Sequence, residues 1–167
     1  MTEKLLAVAT AAALRYPLDD PRLAGFLDAV DPVNRLAEAS PGFVWRYRGP
    51  VGHADLRDAF GRPDVLLNLS LWQDYPSLHA FTYRGSHGRY LTARERWFVP
   101  LPGTTTVLWW VPRDERPDPA AALARLLNLR RHGPSAQGFT VLRRWHPDGS
   151  VEPAARRRLP RWPTIIQ

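Results

Sequence analysis

In Val65–Trp72 (Val-Leu-Leu-Asn-Leu-Ser-Leu-Trp) an amide, a hydroxyl and an indole recur at every second position of an otherwise aliphatic run. Strand side chains alternate between faces, so Val65, Leu67, Leu69 and Leu71 share an aliphatic face and Leu66, Asn68, Ser70 and Trp72 the opposite one. A run this apolar reads as a buried strand. Buried polar groups need partners, which either the protein supplies or a ligand supplies from a pocket. If a ligand does, Asn68 can hold an oxyanion, Ser70 can hydrogen-bond the ligand, and Trp72 can stack on it.

A second constellation has helical spacing. Ser86 fits as the cap of a helix running to about Phe98, on which His87, Tyr90, Leu91, Arg94, Trp97 and Phe98 form one stripe. His87 there could be a general base, a proton shuttle or an axial metal ligand, or simply a satisfied histidine at a helix start. Arg94, on the same stripe, could bind an enolate, phenolate or carboxylate oxygen, or pair with Asp64 or Glu95. Tyr83 and Tyr90 could donate to the same site or fill the core. Trp110 joins Trp72 as a stacking surface, whereas Trp45, Trp97 and Trp109 read as core.

The elements that must position these residues follow from periodicity and turn chemistry. Lys4–Ala12 is a first strand, preferred over a secretory leader because Glu3 and Lys4 precede an apolar run that Thr10 interrupts. Asp19-Asp20-Pro21 opens a helix through Leu23, Phe26, Leu27 and Val30, and Asp31-Pro32 predicts a kink or restart before Ser40-Pro41-Gly42. Phe43–Arg48 alternates as a second strand, with Phe43, Trp45 and Tyr47 on one face and Val44, Arg46 and Arg48 on the other. Gly49–Pro63 reads as a polar connection and Asp64–Trp72 as strand three. Asp74-Tyr75-Pro76 starts a short helix with Leu78 and Phe81 inward. Thr104–Val111 is strand four, Pro117–His132 an amphipathic helix stopped by Gly133-Pro134, and Phe139–Trp145 a last strand.

This order, β-α-β-β-α-β followed by α-β, predicts an α+β fold: a ferredoxin-like antiparallel sheet with helices on one face. Residues 1–146 form the domain and 147–167 a Pro/Arg-rich tail. The uncovered sheet face would expose a large apolar patch, which pairing of two copies removes, so a homodimer is expected.

Composition narrows the chemistry. At 167 residues, 44% hydrophobic and 23% charged, the chain reads as one globular domain, with a cytoplasmic location as the default. It has no run of about 20 apolar residues, the length of a membrane span. Cysteine is absent, which excludes disulfides and thiolate chemistry. The net charge of +7 is carried by arginine, Lys4 being the one lysine, and six arginines fall between Arg143 and Arg161. A basic tail on a near-neutral domain without a basic helix face is weak evidence for nucleic acid, so no nucleic-acid partner is expected. No glycine-rich phosphate loop, nucleophile elbow or clustered carboxylates are present, and the five histidines lack metal-ligand spacing, so no metal is expected.

Several stretches together resemble an uncharacterised bacterial family of the dimeric α+β-barrel superfamily, over about residues 4–145. They are 17–21 (Pro-Leu-Asp-Asp-Pro), 39–46 (Ala-Ser-Pro-Gly-Phe-Val-Trp-Arg), 67–72 (Leu-Asn-Leu-Ser-Leu-Trp), 81–87 (Phe-Thr-Tyr-Arg-Gly-Ser-His), Trp97-Phe98, 108–112 (Leu-Trp-Trp-Val-Pro) and the Gly-Pro near 133. The resemblance implies a dimeric α+β barrel. The wider relatives include the antibiotic biosynthesis monooxygenases and the haem-degrading monooxygenases, whose chemistry sits in a cleft between sheet and helices. Cofactor-free quinone-forming members pair an Asn and a Trp four residues apart on a strand, matched here by Asn68 and Trp72. They oxidise electron-rich polycyclic phenols with O₂, the substrate carbanion itself reducing oxygen. Haem-degrading members add a helix histidine on iron; here that would be His87, farther from Trp72 than in their pattern.

The resulting expectation is a small-molecule enzyme of secondary metabolism that oxygenates an aromatic or polyketide-like substrate without a cofactor. His87 would handle protons, Asn68 and Arg94 would hold an oxyanion, and Trp72 with Trp110 would stack on the substrate. Cyclisation or isomerisation in the same cleft is the second expectation. A haem protein with His87 as ligand is the third. A non-catalytic binding dimer, with Asn68 and His87 hydrogen-bonded internally, is the fourth.

Overall fold

Lys4–Leu14 carries five alanines, a residue that intrinsically favours helices, yet it forms the central strand of the sheet. Context overrides propensity here, because hydrogen-bonded neighbours flank the strand on both sides and both of its faces are covered. The computed structural model describes residues 3–49, 54–83 and 94–153. The described sheet is antiparallel and open, built from β1 (Lys4–Leu14), β2 (Phe43–Arg46), β3 (Val65–Trp72), β4 (Phe98–Val99) and β5 (Thr106–Pro112). Its order is β2-β3-β1, with β5 pairing the Lys4–Thr10 part of β1 and β4 pairing Ala13 and Leu14. Helices α1 (Ala24–Glu38), α2 (Ala54–Phe60), α3 (Tyr75–Tyr83) and α4 (Pro119–His132) complete the described elements, with short 3₁₀ turns at Pro21–Leu23 and Arg94–Arg96.

Helices cover both faces, not one. On the aliphatic face, Ala7, Ala9, Ala11 and Ala13 of β1 join Val65, Leu69, Leu71, Val107 and Trp109. Leu56 of α2 and Ala122, Leu123, Leu126 and Leu129 of α4 pack against them. On the Asn68 face, one cluster gathers Leu6, Val8, Trp72 and Leu108 with Ala37 of α1, Leu78 of α3, and Phe139, Val141 and Trp145. At the other end Leu14, Leu23 and Leu66 pack with Phe26, Trp97 and Phe98. The ferredoxin-like order survives, with its crossover helices α1 and α3 on the Asn68 face. The apolar face that motivated a homodimer is covered by the chain's own α2 and α4, so that motive is removed.

Other local expectations change for identifiable reasons. Helix α1 runs through Pro32 without a break, and of its residues only Ala37 is fully buried. Being half exposed, it can leave the carbonyl freed by Pro32 to solvent. In β2 a register shift between Phe43 and Trp45 sends Phe43 to the Trp72 cluster and Trp45 and Tyr47 to the aliphatic face. Gly49–Pro63 contains α2. Arg94–Arg96, expected within a helix reaching Phe98, form a 3₁₀ turn, and Phe98 lies in β4; the rest of that expected helix lies outside the described residues. Phe139–Trp145 forms isolated bridges at its two ends, Phe139 to Leu108 and Trp145 to Val151, not a strand. Beyond it the chain folds back, with Trp145 bridging Val151 and Arg144 paired with Glu152 at 2.7 Å.

Asp118 caps α4, its carboxylate accepting from the Ala121 amide at 2.7 Å with Pro119 following. Asp118→Ala should cost about 1 kcal/mol in urea unfolding, and Asp118→Ser should recover most of it. Equal stabilities for all three proteins would show that the cap contributes nothing.

Candidate binding cleft

The register sets one polar row across the Asn68 face. Asn68 lies opposite Thr10, and Thr10 opposite Thr106. The two threonines are buried, with hydroxyls 3.2 Å apart. Towards one end follow the rows Ser70–Val8–Leu108 and Trp72–Leu6–Trp110; towards the other lie Leu66 and Ala12. The polar row therefore sits between the two apolar clusters of this face.

Helix α1 bridges those clusters. Phe26 packs on Trp97 and Phe98, with ring centroids at 5.9 and 5.2 Å, and Ala37 packs in the Trp72 cluster. These anchors are eleven residues apart, about 16 Å along a helix. Val30 and Val33 fall on the same stripe as Phe26 and Ala37, so they face the sheet, yet both are only half-buried and join neither cluster. Beneath them Asn68 is exposed, and its carboxamide makes no hydrogen bond to another described residue. On the sheet, Asn68 is thus the exposed position of a face whose neighbouring threonine pair is buried.

The other expected site residues distribute differently. Ser70 accepts from the Trp72 indole N–H at 3.0 Å, so these two polar groups satisfy each other. Trp72 is 1% exposed, stacked on Phe81 at 5.1 Å and edge-on to Phe43 at 5.3 Å, which leaves it built into the core. Trp110 is half-buried and donates to the Trp145 carbonyl at 2.6 Å. Tyr83 is half-buried with its ring 4.6 Å from His79; burial, reinforced by the nearby Tyr75, pushes its phenol up to about 12. That phenol stays protonated at neutral pH and can only act as hydroxyl. His87, Tyr90 and the side chain of Arg94 lie outside the described residues. Of the expected constellation, Asn68 is exposed, while Ser70, Tyr83 and Trp110 are half-buried and Trp72 is buried.

Two cations that the alternation of Phe43–Arg48 puts on a common face meet at the end of α1. Arg46 lies opposite Ser70, and Arg46 Nε and Arg48 Nη2 each donate to Oε1 of Glu38 at 2.8 Å. Hydrogen bonding from Arg46 holds the Glu38 carboxyl below the usual carboxylate range, with the charges of Arg48, Arg46 and Arg35 adding to it against the opposing effect of burial. Their convergence depends on pairing between β2 and β3 and on where α1 ends, which no local pattern reveals. Among the described residues no group of three His, Asp or Glu could hold a metal ion, and no helix is long and apolar enough to cross a membrane.

An α+β protein with an open, antiparallel five-stranded sheet in ferredoxin-like order is the class these features define. The chain belongs to the family described as Domain of unknown function (DUF3291), whose model matches residues 5–155. Among solved structures it is similar to NE2512, a protein of unknown function from Nitrosomonas europaea. The two are 18% identical, with 71% of this chain and 98% of that one covered at a TM-score of 0.42. None of the curated proteins compared with the chain matches it.

Proposed function

We propose that the half-buried Val30 and Val33 of α1 and the exposed Asn68 of β3 bound a gap beneath α1, and that the chain binds a flat, oxygen-bearing aromatic molecule there and oxygenates it without a bound cofactor. The observation that supports binding is Asn68, an exposed carboxamide on a sheet face that carries an apolar cluster on either side of its polar row. A few polar groups in an apolar cleft are the usual means of orienting a small ligand. Asn68 can donate to a phenolate or enolate oxygen and so favour loss of a ring-carbon proton. The carbanion then reduces O₂; one oxygen atom becomes the new carbonyl and the other leaves as water. His87 is the proton acceptor in this reading. A haem reading rests on His87 alone, and no described residue adds a second observation to it. The homodimer remains part of the proposal, although the cleft as described is built from one chain.

Oxygen uptake with a hydroxyanthrone tests this. The wild-type chain should consume O₂ faster than autoxidation, and Asn68→Ala should lower the excess about tenfold or more, a loss of roughly 1.4 kcal/mol in transition-state binding. Because Asn68 is exposed, the variant should keep its stability within about 0.5 kcal/mol. Turnover that persists under argon would assign cyclisation or isomerisation, and binding without turnover would assign a passive carrier. No binding would contradict the proposal.

A further inference from the structure

We infer that the ligand of this cleft is an anion, an aromatic carboxylate whose carboxylate is held by Arg46 and Arg48. The inference rests on the reading of the gap beneath α1 as a binding site and specifies what that site takes.

Position comes first. Arg46 faces Ser70 across the β2–β3 pairing, and Ser70 is two residues from Asn68 on the same face, about 7 Å along a strand. The pairing continues past the end of β2, since the Tyr47 amide donates to the Leu69 carbonyl at 2.9 Å. Alternation therefore returns Arg48 to the side of Arg46, at the rim next to Asn68. The ring of a ligand over Asn68 would thus place a carboxylate substituent within reach of the two guanidiniums.

Charge comes second. Both guanidiniums use a single oxygen of a single carboxylate, Glu38, the last residue of α1. Each guanidinium has five N–H donors in a planar fork suited to carboxylates, so most of this capacity is unspent on Glu38. Two cations and one anion leave a net positive charge at the rim. Arg46 is only 21% exposed, which shields its charge from full solvent screening, whereas Arg48 at 69% can swing to meet a ligand. Glu38 occupies the position a ligand carboxylate would take. A purely structural role is the competing account, in which the arginines favourably terminate the negative end of the α1 dipole through Glu38. The two accounts make opposite predictions for removal of the Glu38 charge.

The test is calorimetric titration of the full chain with 1-hydroxy-2-naphthoate and with 1-naphthol, which differ by the carboxylate. The naphthoate should bind about tenfold more tightly, as expected for one or two charge-assisted hydrogen bonds, and Arg48→Gln should erase most of that preference. Glu38→Gln should tighten naphthoate binding about threefold while leaving naphthol unchanged, because the arginines lose their internal competitor. If both compounds bind alike and both depend on Asn68, the cleft stands and the anion inference falls. Weaker naphthoate binding in Glu38→Gln also overturns it, by showing that the carboxylate only positions the arginines. Should neither compound bind, the cleft reading fails and takes the inference with it.

Discussion

Trp72→Ala is expected to lower the free energy of unfolding by about 3–5 kcal/mol, the range for deleting a large buried aromatic. The indole is fully enclosed, stacked on Phe81 and edge-on to Phe43, and its N–H is spent on Ser70. Truncation would leave a cavity that joins α3, β2 and β3 and would orphan the Ser70 hydroxyl. Trp72→Phe keeps an aromatic ring and loses the hydrogen bond, so its cost should be about 1–2 kcal/mol. Urea unfolding followed by far-ultraviolet circular dichroism reads both. A change below about 0.5 kcal/mol for the alanine variant would mean that Trp72 is a surface platform, as its place beside Asn68 and Ser70 suggests from the sequence.

Leu126→Ala should cost about 2–5 kcal/mol. Leu126 is 0% exposed and reaches from α4 into the alanine-lined side of β1, against residues of β3 and β5. The small β1 side chains let α4 lie close to the sheet, so little can collapse into the space left behind. Its neighbour Leu127 is exposed, and Leu127→Ala should change stability by less than about 0.5 kcal/mol. The contrast between adjacent leucines tests the helix-covered aliphatic face. Equal small effects would mean that α4 docks loosely and that this face is free to meet another chain.

The regular elements were legible because their signals are local. Apolar runs marked β1 and β5, alternation marked the faces of β3, helical spacing marked α1, α3 and α4, and Asp20 with its following proline marked a helix start. Non-local features were not legible. The register shift in β2 reverses Phe43 relative to Trp45 without any change in the alternating pattern. Phe139, Val141 and Trp145 point inward, yet the segment lacks a continuous partner and forms no ladder. Helix α2 hides in a turn-rich stretch, anchored chiefly by Leu56. The alanines of β1 carry too little hydrophobic signal to show that a helix covers them.

For the site, alternation grouped Asn68, Ser70 and Trp72 correctly on one face. It could not show that Ser70 and Trp72 satisfy each other while Asn68 does not share their bond. That separation follows from side-chain geometry. The pairing of Arg46 and Arg48 with Glu38 depends on where α1 ends.

The most direct measurement uses the side-chain amides, of which the chain has only three asparagines and three glutamines. In a nitrogen–proton correlation spectrum, the Asn68 carboxamide pair is identified by its loss in Asn68→Ala. Titration with 1-naphthol should shift that pair in a saturable way and leave Asn128, exposed on α4 across the sheet, where it was. An Asn68 pair that stays fixed at saturating naphthol would contradict the cleft.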